Sequence, residues 1–237
     1  AWPRTGLVIY AESMHLPART AAVLYDLDGT LVDHDHAARA GVDAWCSSLG
    51  LPGNQWDRWS DIEKLWFTRF ENGEVSHLGQ RIERCREFLG RPELSDGEAL
   101  ELYEDYLRVY RANWRAFPDA RPSLDNALAA GLKVGILTNG AAAMQQAKME
   151  GTGLWREGMV MCATVELGSP KPRPEAYLGA LDRLGVRAAE TVMVGDSWAN
   201  DVEGARRAGL AAIHLVREGV SREPGDFVSS LDEIVWP

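Results

Sequence analysis

Apolar residues fall along this chain in two rhythms. In five places they form short unbroken runs: Ala21 to Tyr25, Lys133 to Thr138, Met159 to Ala163, Thr191 to Gly195 and Ala211 to Leu215. Runs of this length, bounded by turn residues, predict buried strands. Before and between the last four, apolar positions recur at helical spacing and predict helices at 122–131, 141–150, 174–185 and 199–208. Short apolar strands alternating with amphipathic helices describe an α/β fold with a parallel sheet covered on both faces. The stretch between the first and second strands has no strand pattern. It predicts helices near 37–49, 61–72, 76–89 and 97–113, broken at Leu51-Pro52-Gly53-Asn54, Asn72-Gly73 and Gly90-Arg91-Pro92. The expected organisation is an N-terminal extension (1–20), an α/β core (21–34 and 116–237) and an inserted all-helical cap (35–115). Because Met14 lies seven residues before the first run, residues 1–13 are expected to contribute little to the fold.

The polar residues that matter follow the strands. Asp26-Leu27-Asp28-Gly29-Thr30 follows the first, Thr138-Asn139-Gly140 the second, and Lys171-Pro172 lies after the third. Gly195-Asp196 with Asp201 follows the fourth. In a parallel sheet the C-terminal ends of all strands open on one edge, so these four segments converge. Taken alone, the first is equally a surface turn or a calcium loop. A calcium loop needs an acidic ligand at its twelfth position, where this chain has Ala37.

Four aspartates in one cleft repel one another unless a cation compensates. Hard carboxylate oxygens without His or Cys favour Mg²⁺. Lys171 adds fixed positive charge, and Thr138 with neighbouring backbone N–H groups adds neutral donors. This set suits a phosphoryl group: a cation on one side, donors on the other, and a carboxylate placed for in-line attack. One Asp serves as covalent nucleophile and another as general acid, then base.

With these motifs the chain resembles the haloacid dehalogenase superfamily of hydrolases over essentially everything after residue 20, and its insert resembles the helical cap of subfamily I. The resemblance implies a Rossmann-like core and a Mg²⁺-dependent phosphomonoesterase acting on a small phosphorylated metabolite, similar to nucleotide and sugar-phosphate phosphatases. It implies Asp26 as nucleophile and Asp28 as acid/base. Metal ligation falls to the Asp26 carboxylate, the Asp28 carbonyl and Asp196, with Asp201 supporting the metal's waters or orienting Lys171. Thr138, the Asn139 amide and Lys171 bind the phosphoryl group. Gly29 permits a tight exit from the strand and Thr30 braces it. Dehalogenases of the superfamily lack an acid two residues after the nucleophile, so Asp28 favours phosphate. Phosphonate hydrolysis in related members uses a cap lysine, and the only one here, Lys64, sits in an amphipathic helix, which leaves that reading weak. A phosphomutase and a non-catalytic binding module on the same scaffold remain as alternatives.

Composition narrows the partners. A net charge of -10 argues against nucleic acid and anionic membranes. No run approaches the roughly 18 apolar residues of a membrane span, so the expected location is cytoplasmic. Cys46, Cys85 and Cys162 are far apart and form no CxxC pair, which predicts neither disulfides nor a zinc site. Only four of the 25 basic residues are lysines (Lys64, Lys133, Lys148 and Lys171), so each carries more information than usual. The cap holds five of nine tryptophans; the helical spacing of Trp59, Trp66 and Phe70, and of Tyr103, Tyr106 and Tyr110, predicts core packing rather than base stacking. His34 and His36, beside Asp33 and Asp35 near the cap hinge, read as solvated, with a second metal site or substrate contact the alternatives. Trp198 reads as packing beside the site. Oligomeric state and substrate identity are not legible.

Overall fold

A computed structural model describes residues 13–219, 221, 223–225 and 227–237. Six parallel strands form the central sheet: β2 (Ala22–Tyr25), β3 (Lys133–Thr138), β4 (Val160–Ala163), β5 (Thr191–Gly195), β6 (Ala211–Leu215) and β7 (Phe227–Val228). Their order is β4-β3-β2-β5-β6-β7, with the first strand of the sheet at its middle. β2 is buried along its length, which is why its sequence is unbroken Ala-Val-Leu-Tyr rather than alternating. Successive residues face opposite sides. Val23 and Tyr25 join Val134, Ile136, Val192 and Val194 in one core layer, while Ala22 and Leu24 join Leu137, Met193 and Tyr177 in the other.

The covering helices are α5 (Ala120–Ala129), α6 (Ala142–Gly151), α7 (Thr164–Leu167), α8 (Pro174–Leu184) and α9 (Gly204–Arg207). Gly185, in the left-handed conformation at φ 63°, ends α8 one residue before the expected boundary. The helix expected at 199–208 is instead a π-helical turn, Trp198–Glu203, running into α9. The Asp201 N–H donates to the Ser197 carbonyl at 2.7 Å and the Asp201 carboxylate accepts from the Ser197 N–H at 3.0 Å, so the side chain competes for the first turn and widens it.

Four helices form the insert: α1 (His34–Ser48), α2 (Trp56–Glu71), α3 (His77–Leu89) and α4 (Asp96–Ala112). α4 opens with a capping box between Ser95 and Glu98. Trp45, Trp59, Phe88, Tyr103 and Tyr106 pack together as the insert's own core, with Trp45 and Phe88 stacked at 5.4 Å. The aromatic spacing thus serves packing. The chain leaves and rejoins the sheet domain at adjacent points: the Asp33 N–H donates to the Arg115 carbonyl, the Phe117 N–H to Leu31, and Arg115 pairs with the Asp33 carboxylate at 2.6 Å.

Of residues 1–20, set apart above as an extension, 1–12 lie outside the described residues. Met14–His15 (β1) pair in parallel with Ile234–Val235 (β8) to form a second, two-stranded sheet. Sequence reading missed both strands, as well as β7, because each is only two residues long.

Candidate active site

Asp26 continues β2, its N–H donating to the Val194 carbonyl of β5 at 2.9 Å. Its carboxylate therefore projects from the middle of the sheet edge. The chain then turns through Gly29, whose φ is +88°. A Cβ at Gly29 would overlap the Asp196 carboxylate, so glycine is required both for the turn and for the approach of the two acids. At Gly195 a Cβ would overlap the Asp201 side chain in the same way. The Thr30 hydroxyl lies 3.1 Å from both the Asp196 N–H and Asp196 Oδ1, which ties the loop after β2 to the loop after β5.

Lys171 is buried and bridges two acids, its Nζ donating to Asp26 Oδ1 and Asp201 Oδ1, each at 2.7 Å. Burial opposes its charge, but Asp201 and Asp26 hold its pKa above the ordinary lysine value, so it stays an ammonium. Asn139 locks the loop that carries it: Asn139 Oδ1 accepts from the Lys171 N–H at 2.8 Å, and Nδ2 donates to the Lys171 carbonyl at 3.0 Å. The Asn139 side chain is thus spent on architecture. The Thr138 hydroxyl oxygen accepts from Gln145 Nε2 at 2.8 Å and from the Gly140 N–H at 3.3 Å, which leaves its O–H directed elsewhere.

Asp28 stands in a different environment from Asp26. Lys148 Nζ lies 2.5 Å from its Oδ1, Gln145 Nε2 donates to its Oδ2 at 3.0 Å, and His34 Nδ1 is 3.8 Å away. Burial works against its charge, yet Lys148 and His34 hold it below the usual carboxylate range. Sequence reading gave Lys148 no role. The only signal was the scarcity of lysine; the structure buries this one, at 1% exposure, on α6 directly after the second motif.

The remaining acids crowd. Asp26, Asp196 and Asp201 each offer a carboxylate oxygen, all within 4.8 Å of one another. Burial and the negative charges of Asp201 and Asp28 push Asp26 up to about 7 despite Lys171, and burial and Asp26 push Asp196 up to about 7. Such a cluster of hard oxygens, short of positive charge, fits a small divalent cation.

The insert closes over this edge and leaves a cavity of about 500 Å³, walled by residues of both parts. Glu71, at the end of α2, accepts from Asn139 Nδ2 and Asn200 Nδ2, each at 2.8 Å. His34, read as solvated, is half-buried: Nε2 contacts Glu63 at 3.0 Å and Nδ1 contacts the Tyr110 hydroxyl at 3.1 Å. Glu63 also binds Arg84. Although burial raises it, His34 and Arg84 bring Glu63 down to about 2. His36 stays outside this network; its backbone N–H binds Asp33 Oδ1 as part of the α1 cap. Trp198 packs edge-on to His214 at 5.4 Å. Lys64 is exposed on α2 at the cavity rim.

The sequence profile of the haloacid dehalogenase-like hydrolases matches residues 20–209, four-fifths of the chain and all of this constellation. The chain belongs to that family. Among curated hydrolases of this kind, it is 34% identical over 206 residues to glyceraldehyde 3-phosphate phosphatase of Methanopyrus kandleri, covering 83% of this chain and 84% of the relative. It is 29% identical over 221 residues to phosphoserine phosphatase of Thermus thermophilus, covering 82% and 88%. Its fold matches the HAD-hydrolase YfnB of Bacillus subtilis, solved with magnesium, at a TM-score of 0.81 over 91% of this chain and 96% of that one, with 21% identity. The α/β fold with a Rossmann-like parallel sheet and the family resemblance drawn from the motifs therefore stand. No helix among the described residues is long and apolar enough to cross a membrane.

Proposed function

We propose that this hydrolase is a Mg²⁺-dependent phosphomonoesterase acting on a small phosphorylated metabolite through an aspartyl-phosphate on Asp26. The observation that carries the reading is the division of labour between two carboxylates two residues apart. Asp26 is held by Lys171 at the sheet edge beside an acid cluster, while Asp28 is held apart by Lys148 and Gln145. A dehalogenase needs no second acid, because a departing halide takes no proton.

Asp26 attacks phosphorus in line, and the Lys171 ammonium, together with a bound cation, would favour its ionised, nucleophilic form. The free O–H of Thr138 and the Asn139 backbone N–H donate to phosphoryl oxygens. Asp28 gives its proton to the departing alkoxide, so the leaving group exits as an alcohol. It then takes a proton from the water that attacks the aspartyl-phosphate, which releases inorganic phosphate and restores Asp26. Lys148 favours the ionised form needed for the second step; an approaching dianionic phosphate favours the protonated form needed for the first. Mg²⁺, held by Asp26, the Asp28 carbonyl and Asp196 with Asp201 in support, supplies charge neutralisation at the phosphoryl oxygens.

The test is release of phosphate from a generic aryl phosphate with and without Mg²⁺, in wild type and in Asp26→Asn. Turnover should require the metal and fall by roughly 10³-fold or more in the variant, which keeps its fold. Substantial residual turnover in Asp26→Asn would remove the nucleophile assignment.

A further inference from the structure

Under the cap, the far end of the cavity carries positive charge that the protein leaves unused. Arg81 of α3 lines it, half-buried. Among the described residues, no carboxylate lies within 4.0 Å of its guanidinium, whereas the nearby Arg84 and Arg111 are already paired with Glu63 and Glu104. Burial and the like charges of Arg84 and Arg111 bring Arg81 below its ordinary pKa, the mark of a cation without a counter-ion. Burial, Arg81 and Arg84 push His77 down to about 4, so it is neutral and adds no charge. Two further atoms lack partners: Arg84 Nε, a donor, and Gln80 Oε1, an acceptor. Both residues line the cavity and are at least nine-tenths buried, at 4% and 0% exposure. Buried donors and acceptors are rarely left unpaired unless something else pairs them.

We infer that this end of the cavity is a subsite for a second anionic group of the substrate, bound by the Arg81 guanidinium, with the unpaired Arg84 Nε–H and Gln80 Oε1 in the wall around it. The inference rests on the phosphomonoesterase reading and narrows its substrate class to phosphomonoesters bearing a carboxylate or second phosphate at the end remote from the scissile ester. A multi-carbon spacer is required. Asp28, His34, Glu63 and Arg84 stand in series between the two ends, the first two gaps being 3.8 and 3.0 Å.

The experiment compares kcat/KM for matched pairs: 4-phosphoerythronate against erythritol 4-phosphate and 6-phosphogluconate against sorbitol 6-phosphate, with sorbitol 1,6-bisphosphate as the phosphate arm. Wild type should prefer the doubly anionic member of at least one pair by about tenfold or more. Arg81→Ala should cut that preference about 10- to 100-fold, the worth of a charge-assisted hydrogen bond, and Arg81→Lys should recover part of it. Preference for the bisphosphate over both acids identifies the second group as phosphate; the reverse identifies a carboxylate. Equal kcat/KM within every pair in wild type overturns the subsite, as does an equal loss on both members in Arg81→Ala. If no ester is turned over, the phosphatase reading fails and the subsite is decided by calorimetry. Asp26→Asn titrated with 6-phosphogluconate and sorbitol 6-phosphate should show an affinity difference that Arg81→Ala removes; equal affinities overturn it.

Discussion

At the sheet edge, Asp26 and Asp196 are pushed up to about 7, while under the cap Glu63 is held at about 2. All three face the same cavity. Burial raises each of them; what differs is company. Glu63 has two cations, His34 and Arg84, and no acid among the larger influences on it. Asp26 shares one lysine with Asp201, and Asp196 has no carboxylate–cation contact within 4.0 Å among the described residues. Glu63 has its charge matched by the cations beside it, and the sheet end is left short of positive charge. Deficits of this kind are where a cation and a phosphoryl group can supply what the protein does not.

Removing the carboxylates one at a time breaks this comparison in different directions. The largest expected effect is on chemistry: Asp28→Ala should lower kcat on the aryl phosphate by about 10²–10⁴-fold, the usual worth of general acid–base catalysis, as stopped-flow phosphate release would show. An unchanged kcat would take Asp28 out of the mechanism. Next comes Glu63→Ala, which strands Arg84 and His34 without their counter-ion. It should cost about 3–5 kcal/mol of stability, read by urea denaturation, because a broken buried pair leaves an uncompensated charge. The same kind of deletion at the other end should have the opposite sign: Asp196→Asn relieves repulsion, so the metal-free protein should melt higher by a few degrees, about 1 kcal/mol. The variant should also lose the stabilisation that Mg²⁺ gives wild type.

The smallest effect is on the pH dependence of stability. A carboxyl whose folded pKa is raised binds more protons folded than unfolded. Asp26 and Asp196 therefore favour the folded state in acid, and metal-free stability should decline as pH rises from about 4 to about 7. Glu63 has a lowered pKa, so its contribution is present above about 4.5 and disappears as pH falls towards 2. His34, raised by Glu63 and Asp28 against burial, declines in the same direction as the aspartates. Added Mg²⁺ separates them, because it should flatten only the aspartate part of the slope. Melting curves at several pH values, with chelator and with Mg²⁺, measure this.

The two ends also differ in how far they could be read from sequence. Every sheet-edge residue follows a strand, and a strand's exit in a parallel sheet has a fixed meaning; Asp26, Thr138, Lys171 and Asp196 were legible for that reason. The five longer strands and the helices of the insert were visible in their apolar periods, with boundaries shifted by a few residues. Lys148 was hidden because it lies within a helix, where facing inward depends on rotation rather than on a motif. His34, Glu63, Glu71, Arg81 and Arg84 come from three helices, and their meeting depends on how the insert folds and settles over the sheet, which no local pattern encodes. The π-helical turn at Trp198–Glu203 escaped because its cause is one side chain, Asp201, competing for backbone groups.

The paired crossings at Asp33 and Arg115 have a consequence for inheritance. Because the strand leaving the sheet and the strand returning to it are stitched together by Asp33–Arg115 and Leu31–Phe117 bonds, about eighty residues hang from a junction narrow enough for a short loop to close. Both ends of the four-helix insert therefore lie side by side at one edge of the sheet. A recombination event that replaced the insert would leave strand order, nucleophile and acid cluster in register, and would alter which molecules reach them.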